Sequence, residues 1–410
     1  MIVTFVSNYI NHHQLPFCKA FSSNDDVEFH FVQTMPMEQK RVEMGWAVDV
    51  KQYPFVSLLY EDEDYCRKLI IDSDVTIFGW TGGTIAKLEN ERLSSGKLSF
   101  RISERIYREG QWKFISPKGL YNKYKEHIRY RKMPVYLLCA GAYVASDFAL
   151  IHSYPGKMLK WGYFPGGEIH TEQIVPKERE ITTDMYEAAV IENKTVSILW
   201  AGRLIDLKHP EYAVEAAKNL AAKKYDFSLD IVGDGNKKEE LDGLIKQYGL
   251  EDRVRLLGGK KPSEVLDLMK GADVFLFTSN YLEGWGAVVN EAMAGECCVV
   301  ASKEAGSVPF LIQDGVNGLA YENGNPGDFI EKLLYLFENK REIPKMAAAG
   351  KMTIEKLWNA NNAAAQLYRF CREFLEGKDP VPAPEGPMSV AEVIKAPGMA
   401  RTMSEKNVLE

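Results

Sequence analysis

Two glutamates and a run of glycines in the stretch Thr278–Ser302, TSNYLEGWGAVVNEAMAGECCVVAS, have the types and spacing to do chemistry. Seven residues separate Glu283 from Glu291. Carboxylates accept hydrogen bonds, so the pair suits the hydroxyls of sugars on either side of a phosphate group. Gly284 and Gly286 flank Trp285 where a helix, WGAVVNEAMAG, is expected to begin, and Gly295 follows its last periodic residue as a stop signal. Glycine allows a backbone to approach a ligand closely. A helix N-terminus adds unpaired N–H groups and partial positive charge, a seat for phosphate. One glutamate is expected in the loop and the other one to two turns inside the helix. That placement fits metal-free recognition of phosphates and hydroxyls better than paired-acid hydrolysis. The plain alternative is a generic strand–helix unit with two solvated glutamates.

Further candidates sit at other strand ends. SNYINHHQ is a polar loop directly after the first strand, and it carries Asn8, His12 and His13. The histidines would hydrogen-bond a phosphate or an acceptor hydroxyl, or else fix the loop and cap the next helix; no spacing supports zinc. Ser146 and Asp147 in GAYVASDFAL follow another strand, as acceptor contacts or as helix caps. FSLDIVGDG ends in Gly233, Asp234 and Gly235, and a lone G-x-G is weak evidence because Lys238 stands where G-x-G-x-x-G needs its last glycine.

The elements that must hold these residues alternate. IVTFVS and the runs at 27–33, 75–80 and 135–140 read as buried strands, with helices near 14–22, 62–72, 84–93, 118–131 and 142–152. Such alternation predicts a doubly wound parallel sheet whose ligands gather at the carboxyl ends of the strands. A second series of this kind begins at TVSILWAGRLIDLKHPEYAVEAA. The expected domains are 1–165 and 195–355, joined by a polar connection at 166–194. A helical stretch at 356–376 and a Pro-rich, weakly ordered tail at 377–410 complete the chain.

The motifs resemble those of retaining GT-B glycosyltransferases, in particular the large family four. E-G-W-G-x-x-x-x-E is similar to the E-x7-E signature, and EAMAGECCVVAS to the family's E-A-M-A-x-G-x-P-V-V-A-S. G-R-L-I-D-L-K-H resembles G-R-L-x-x-x-K-G, with His209 in the glycine position. N-H-H-Q is similar to the N-terminal loop of a bacterial polysaccharide branch. The resemblance implies an α/β GT-B fold, two Rossmann-like doubly wound domains facing across a cleft, with the acceptor bound by the N-terminal domain. It implies that Arg203 and Lys208, beside Gly202, grip the donor diphosphate and that Glu283 touches the donor sugar. Glu291 would hold the ribose, and the backbone at Leu257 and Gly258 the nucleobase. The helix after 356 would cross back to the first domain. Where the family has a glycine pair and P-E, this chain has Ser307, Pro309 and Phe310, which puts a glutamate contact from that loop in doubt.

The expected activity is transfer of a sugar, with retention, from a UDP- or GDP-sugar to a sugar or lipid-linked hydroxyl acceptor, with no metal. The expected setting is cell-surface polysaccharide or glycolipid synthesis. A sugar-nucleotide epimerase and a non-catalytic partner protein on the same fold are the alternatives. A net charge of −7 argues against nucleic acid as a partner. Six cysteines without a C-x-x-C pair fit a reducing cytosol, and neither a leader nor a bilayer-spanning run is evident. Residues 97–132 stand out, with eleven Lys/Arg against three Glu and apolar residues from Leu98 to Phe114 interleaved. They read as a contact for the inner face of an anionic membrane or for a lipid-diphosphate, or as a solvated face over a partly buried core.

Overall fold

The computed structural model describes residues 1–39, 42, 48–165 and 194–396. These pack as two compact units, 1–165 together with 356–396, and 194–355. In the first unit, β1 (Ile2–Ser7), β2 (Glu28–Gln33), β3 (Val56–Leu58), β4 (Val75–Phe78), β5 (Ser99–Ser103), β6 (Val135–Ala140) and β7 (Met158–Trp161) form one sheet. Its order is β3-β2-β1-β4-β5-β6-β7. In the second, β8 (Val196–Ala201), β9 (Phe227–Val232), β10 (Val254–Gly258), β11 (Val274–Phe277), β12 (Cys298–Ser302) and β13 (Leu319–Tyr321) lie in the order β10-β9-β8-β11-β12-β13. Neighbouring strands pair in parallel throughout both sheets, with Phe5 opposite Phe31 and Ile77, and Phe275 opposite Leu199 and Val299.

Parallel sheets flanked by helices bury both faces, so their strands are continuous apolar runs rather than alternating ones. VTIF of β4 and VFLF of β11 are buried at every position. The strands β3, β5 and β7 were not expected: VSL and MLKW are short, and SFRIS carries Arg101 at its centre. That arginine is tolerated because Glu89 pairs with its Nε at 3.0 Å. The helices Pro117–Glu126 and Val144–Leu150 are shorter than the expected 118–131 and 142–152.

The helix Ala360–Leu375 belongs to the first unit although it follows the second in sequence. Asn359 caps it by accepting from the Asn362 N–H at 2.8 Å. Phe370 packs edge-on against Tyr136 and Phe100, with ring centres 5.0 and 5.9 Å away.

The expected weakly ordered tail is corrected up to residue 396. Met388 N–H donates to Lys160 O at 2.8 Å, and Lys160 N–H to Ser389 O at 2.7 Å. Leu159 thereby bridges Val390 in antiparallel fashion, and Met388 is fully buried. The segment covers the open edge of β7, whose unpaired backbone groups would otherwise face solvent. Proline content suggested a linker, and it concealed this edge pairing. The expected connection at 166–194 falls outside the described residues except for Lys194, as does the tail beyond 396.

Candidate functional site

In an open parallel sheet a crevice forms where strand order reverses, because the connections leave in opposite directions there. In the second unit that point lies between β8 and β11, so the loops after these two strands flank it. They carry Gly202, Arg203 and Lys208 on one side, and Glu283, Gly284 and Gly286 on the other. The loops are sewn together. Trp200 Nε1 donates to Thr278 Oγ1 at 2.7 Å, and that hydroxyl donates to Lys208 O at 2.6 Å. Asn280 N–H donates to Leu207 O at 2.9 Å, while Leu207, Tyr281 and Leu282 form a small apolar cluster beneath. The outcome is an ion pair between Lys208 Nζ and Glu283 Oε2, both side chains 16% exposed. A lysine and a carboxylate at the crevice, still reachable from solvent, are placed to exchange each other for an anion and a hydroxyl.

His209 adopts φ 45°, the left-handed region that glycine enters without strain. The loop therefore keeps a glycine-like turn with a larger residue. Its ring is held by Glu211 Oε1, 2.8 Å from Nδ1, and stacks on Tyr212 with ring centres 5.0 Å apart. Arg203 is exposed on the same loop.

Glu291 lies in the first turn of the helix Val288–Ala294, closer to its start than expected, because that helix opens after Gly286 rather than at Trp285. Burial pushes its carboxyl up to about 7. Trp285 was expected among the donor contacts, yet its side chain is 1% exposed and its indole N–H donates to Asn290 Oδ1 at 2.8 Å. It stiffens the loop instead. Gly286 has φ +88°, and a Cβ there would stand 2.5 Å from the Phe277 ring.

The loops after β9 and β10 line the same end of the sheet. Gly233 N–H donates to Gly258 O at 3.0 Å and Leu204 N–H to Asp234 O at 2.9 Å. Gly233 has φ +148° and a Cβ there would fall 1.8 Å from Gly202 O; at Gly235 it would fall 2.3 Å from Leu204 O. These glycines let neighbouring loops touch. Leu257 and Gly258 are half-buried beside them, and Asp234 is exposed.

In the first unit the reversal falls between β1 and β4, and the histidine loop is at it. Asn8 N–H donates to Trp80 O at 2.6 Å, and its Oδ1 accepts from Tyr9 N–H at 2.8 Å. The rings of His12 and His13 are 3.8 Å apart, and His13 stacks on Tyr163 at 5.9 Å. Burial lowers both imidazoles; proximity to His12 helps bring His13 down to about 3. They are neutral at pH 7 and suited to hydroxyls rather than to balancing charge. Trp80 lies 5.6 Å from Tyr163, whose hydroxyl donates to Glu104 Oε1 at 2.6 Å, and Arg108 pairs with Glu104. Trp80, Tyr163, Glu104 and Arg108, which link to the histidine loop through these contacts, were not singled out from the sequence. The one signal was position, since Trp80 closes the run VTIFGW and Tyr163 lies just beyond WG.

Ser146 and Asp147 are neither caps nor open acceptor contacts. The helix begins after Tyr143, and Asp147 is fully buried. Its oxygens accept from Arg105 Nη2 at 3.1 Å and Nε at 3.3 Å, Tyr107 N–H at 2.9 Å and Gln111 Nε2 at 2.8 Å. Gln111 Nε2 also donates to Ser146 Oγ at 2.9 Å. The pair anchors the loop after β5.

The basic stretch 97–132 also divides. Leu98, Phe100, Ile102 and Tyr107 are buried, Arg101 pairs with Glu89, and Arg105 with Asp147. Those charges serve the interior. Among the described residues no group of three or more His, Cys, Asp or Glu is arranged to hold a metal, and no helix is long and apolar enough to cross a membrane.

Residues 183–353, which include most of the second unit, match the family described as glycosyl transferases group 1. An uncharacterized glycosyltransferase of Methanocaldococcus jannaschii is 30% identical over 37% of this chain and 41% of its own. The amylovoran biosynthesis glycosyltransferase AmsK of Erwinia amylovora is 29% identical over 43% of this chain and 44% of its own. The match thus spans less than half the length of these curated relatives. The structure of Anabaena HepE in complex with UDP covers 92% of this chain and 100% of its own, with a TM-score of 0.64 at 16% identity. The fold is two parallel-sheet Rossmann-like domains, that of GT-B glycosyltransferases.

Proposed function

We propose that the protein is a retaining glycosyltransferase that moves a sugar from a UDP- or GDP-sugar to a hydroxyl acceptor. The observation that carries this is the Lys208–Glu283 pair at the point where the second sheet reverses its strand order. In the reaction the bond between the sugar's anomeric carbon and the diphosphate breaks, and a bond to the acceptor oxygen forms on the same face. The acceptor proton passes to the departing phosphate. Lys208 and Arg203 offset the charge developing on that phosphate, and donors placed where charge appears act most strongly in a site with little water. These cations supply the positive charge, so the reading calls for no metal. Glu283 receives hydroxyls of the sugar, and Glu291, once ionised, those of the ribose. Gly202 and Gly233 let the loops after β8 and β9 pack backbone against backbone beside this site.

The acceptor side is assigned to the first unit, where His12 and His13 accept or donate to its hydroxyls beside Asn8. The half-buried faces of Trp80 and Tyr163 suit a sugar ring. The N-H-H-Q loop and the name of the Erwinia relative support cell-surface polysaccharide or glycolipid synthesis, which would place the protein at the cytoplasmic face of the membrane.

The test is thermal unfolding against UDP-, GDP-, ADP- and CDP-sugars. A ligand that binds only the folded state raises Tm. One nucleotide family should raise Tm in the parent and do so far less in Lys208→Ala. Product NMR with that donor should then show the donor's anomeric configuration. An unchanged Tm with every nucleotide would remove the donor site and the proposal with it.

A further inference from the structure

The helix Pro117–Glu126 has no buried residue. A helix of one domain is normally held by an apolar stripe against the core, and this one turns its apolar residues outward. Leu120, Tyr121 and Tyr124 fall on one face, and they are 43%, 57% and 53% exposed. Trp112 and Ile115, just before the helix, are 50% and 69% exposed. Large apolar side chains exposed singly are ordinary on a protein surface, but five within so short a segment mark an interaction face.

The charge around them names the partner. Residues 112–132 carry seven Lys/Arg and one Glu, in a chain whose net charge is −7. Among the described residues only Lys113 and Lys123 of these seven form ion pairs, with Glu109 and Glu126. Lys125 Nζ lies 4.4 Å above the Tyr121 ring and Lys113 Nζ 5.9 Å from that of Trp112. Tryptophan and tyrosine settle at the level of lipid headgroups, with a greasy ring inward and a polar edge outward, and lysines draw them to anionic lipid. An acidic chain as a whole is repelled by such a surface, so attachment needs a locally basic face such as this segment.

We propose that residues 112–132 form a peripheral docking face for an anionic lipid bilayer, with Trp112, Ile115, Leu120, Tyr121 and Tyr124 inserting at the headgroup level. The face excludes Arg101 and Arg105, whose charges are spent inside the fold. It does not depend on the proposed transferase activity.

The test is co-sedimentation of the full chain with vesicles of phosphatidylcholine alone or mixed with phosphatidylglycerol. Two variants are needed, Trp112→Ser with Ile115→Ser, Tyr121→Ser and Tyr124→Ser, and Lys118→Glu with Lys125→Glu, Arg131→Glu and Lys132→Glu. All eight positions are exposed, so circular dichroism and Tm should match the parent. The expected result is salt-sensitive binding to the mixed vesicles, ~10-fold or more weaker in either variant. The proposal is overturned if the parent ignores mixed vesicles, or if both variants bind as the parent does. It is also overturned if the parent ignores vesicles and instead self-associates in a way the serine variant abolishes, which would make the face a contact between copies. The nucleotide-induced rise in Tm should be the same in parent and variants, so failure here leaves the donor site standing.

Discussion

Glu291 offers the sharpest test, because burial pushes its carboxyl from an ordinary 4.5 up to about 7. Between those values the folded protein holds a proton that the unfolded chain has lost. Stability of the ligand-free protein therefore falls as pH rises from 4.5 to 7, and the full penalty is present above 7. At roughly 1.4 kcal/mol per pH unit, the penalty is about 3 kcal/mol as an upper figure, since the side chain is only half-buried. Glu291→Gln removes it. In urea unfolding the variant should gain up to that amount over the parent at pH 8 and nothing at pH 4, where both side chains are neutral.

Ligand binding adds the functional half. If ribose hydroxyls bind the carboxylate, only the ionised form binds well. Apparent affinity should then drop ~10-fold between pH 8 and pH 6. Calorimetry with a nucleotide sugar measures this, and the sugar's diester phosphates do not titrate in that range. The reasoning fails if Glu291→Gln is no more stable than the parent at pH 8, or if the variant shows the same pH dependence of binding.

Two further expectations concern what holds the sites. Gly233→Ala places a Cβ 1.8 Å from Gly202 O at φ +148° and should lower stability by about 2 kcal/mol or more, whereas Gly243→Ala, in an open helical position, should raise it by about 1 kcal/mol; calorimetric melting of both checks the contrast. Asp147→Asn leaves Arg105, 6% exposed, without its counter-charge and should cost ~3–5 kcal/mol in urea unfolding. A loss under 1 kcal/mol would mean that Tyr107 and Gln111, not the charge, hold that loop.

What the sequence made legible is what local pattern controls. VTIF and VFLF are apolar throughout because both faces of their strands are covered, so the parallel sheets could be read directly. The strand-end position of Arg203, Lys208 and Glu283 follows from those runs, and the sheet order then brings two distant loops to one point. Their hydrogen-bonded stitching through Thr278 and Asn280 has no local signature, because each bond spans about seventy residues. Charge was the least legible property. Arg101, Arg105 and Lys118 look alike in the chain, yet the first two are neutralised by Glu89 and Asp147, and the third stands in solvent. The counter-charge of Arg105 lies 42 residues away, and that of Arg101 sits on the preceding helix, Ala86–Ser94. A count of basic residues over 97–132 therefore merges an interior network with an exposed face, and only burial separates them. The same holds for Trp112 and Trp285: one ring meets solvent, the other is spent on Asn290, and no property of tryptophan or its neighbours distinguishes them before the chain is folded.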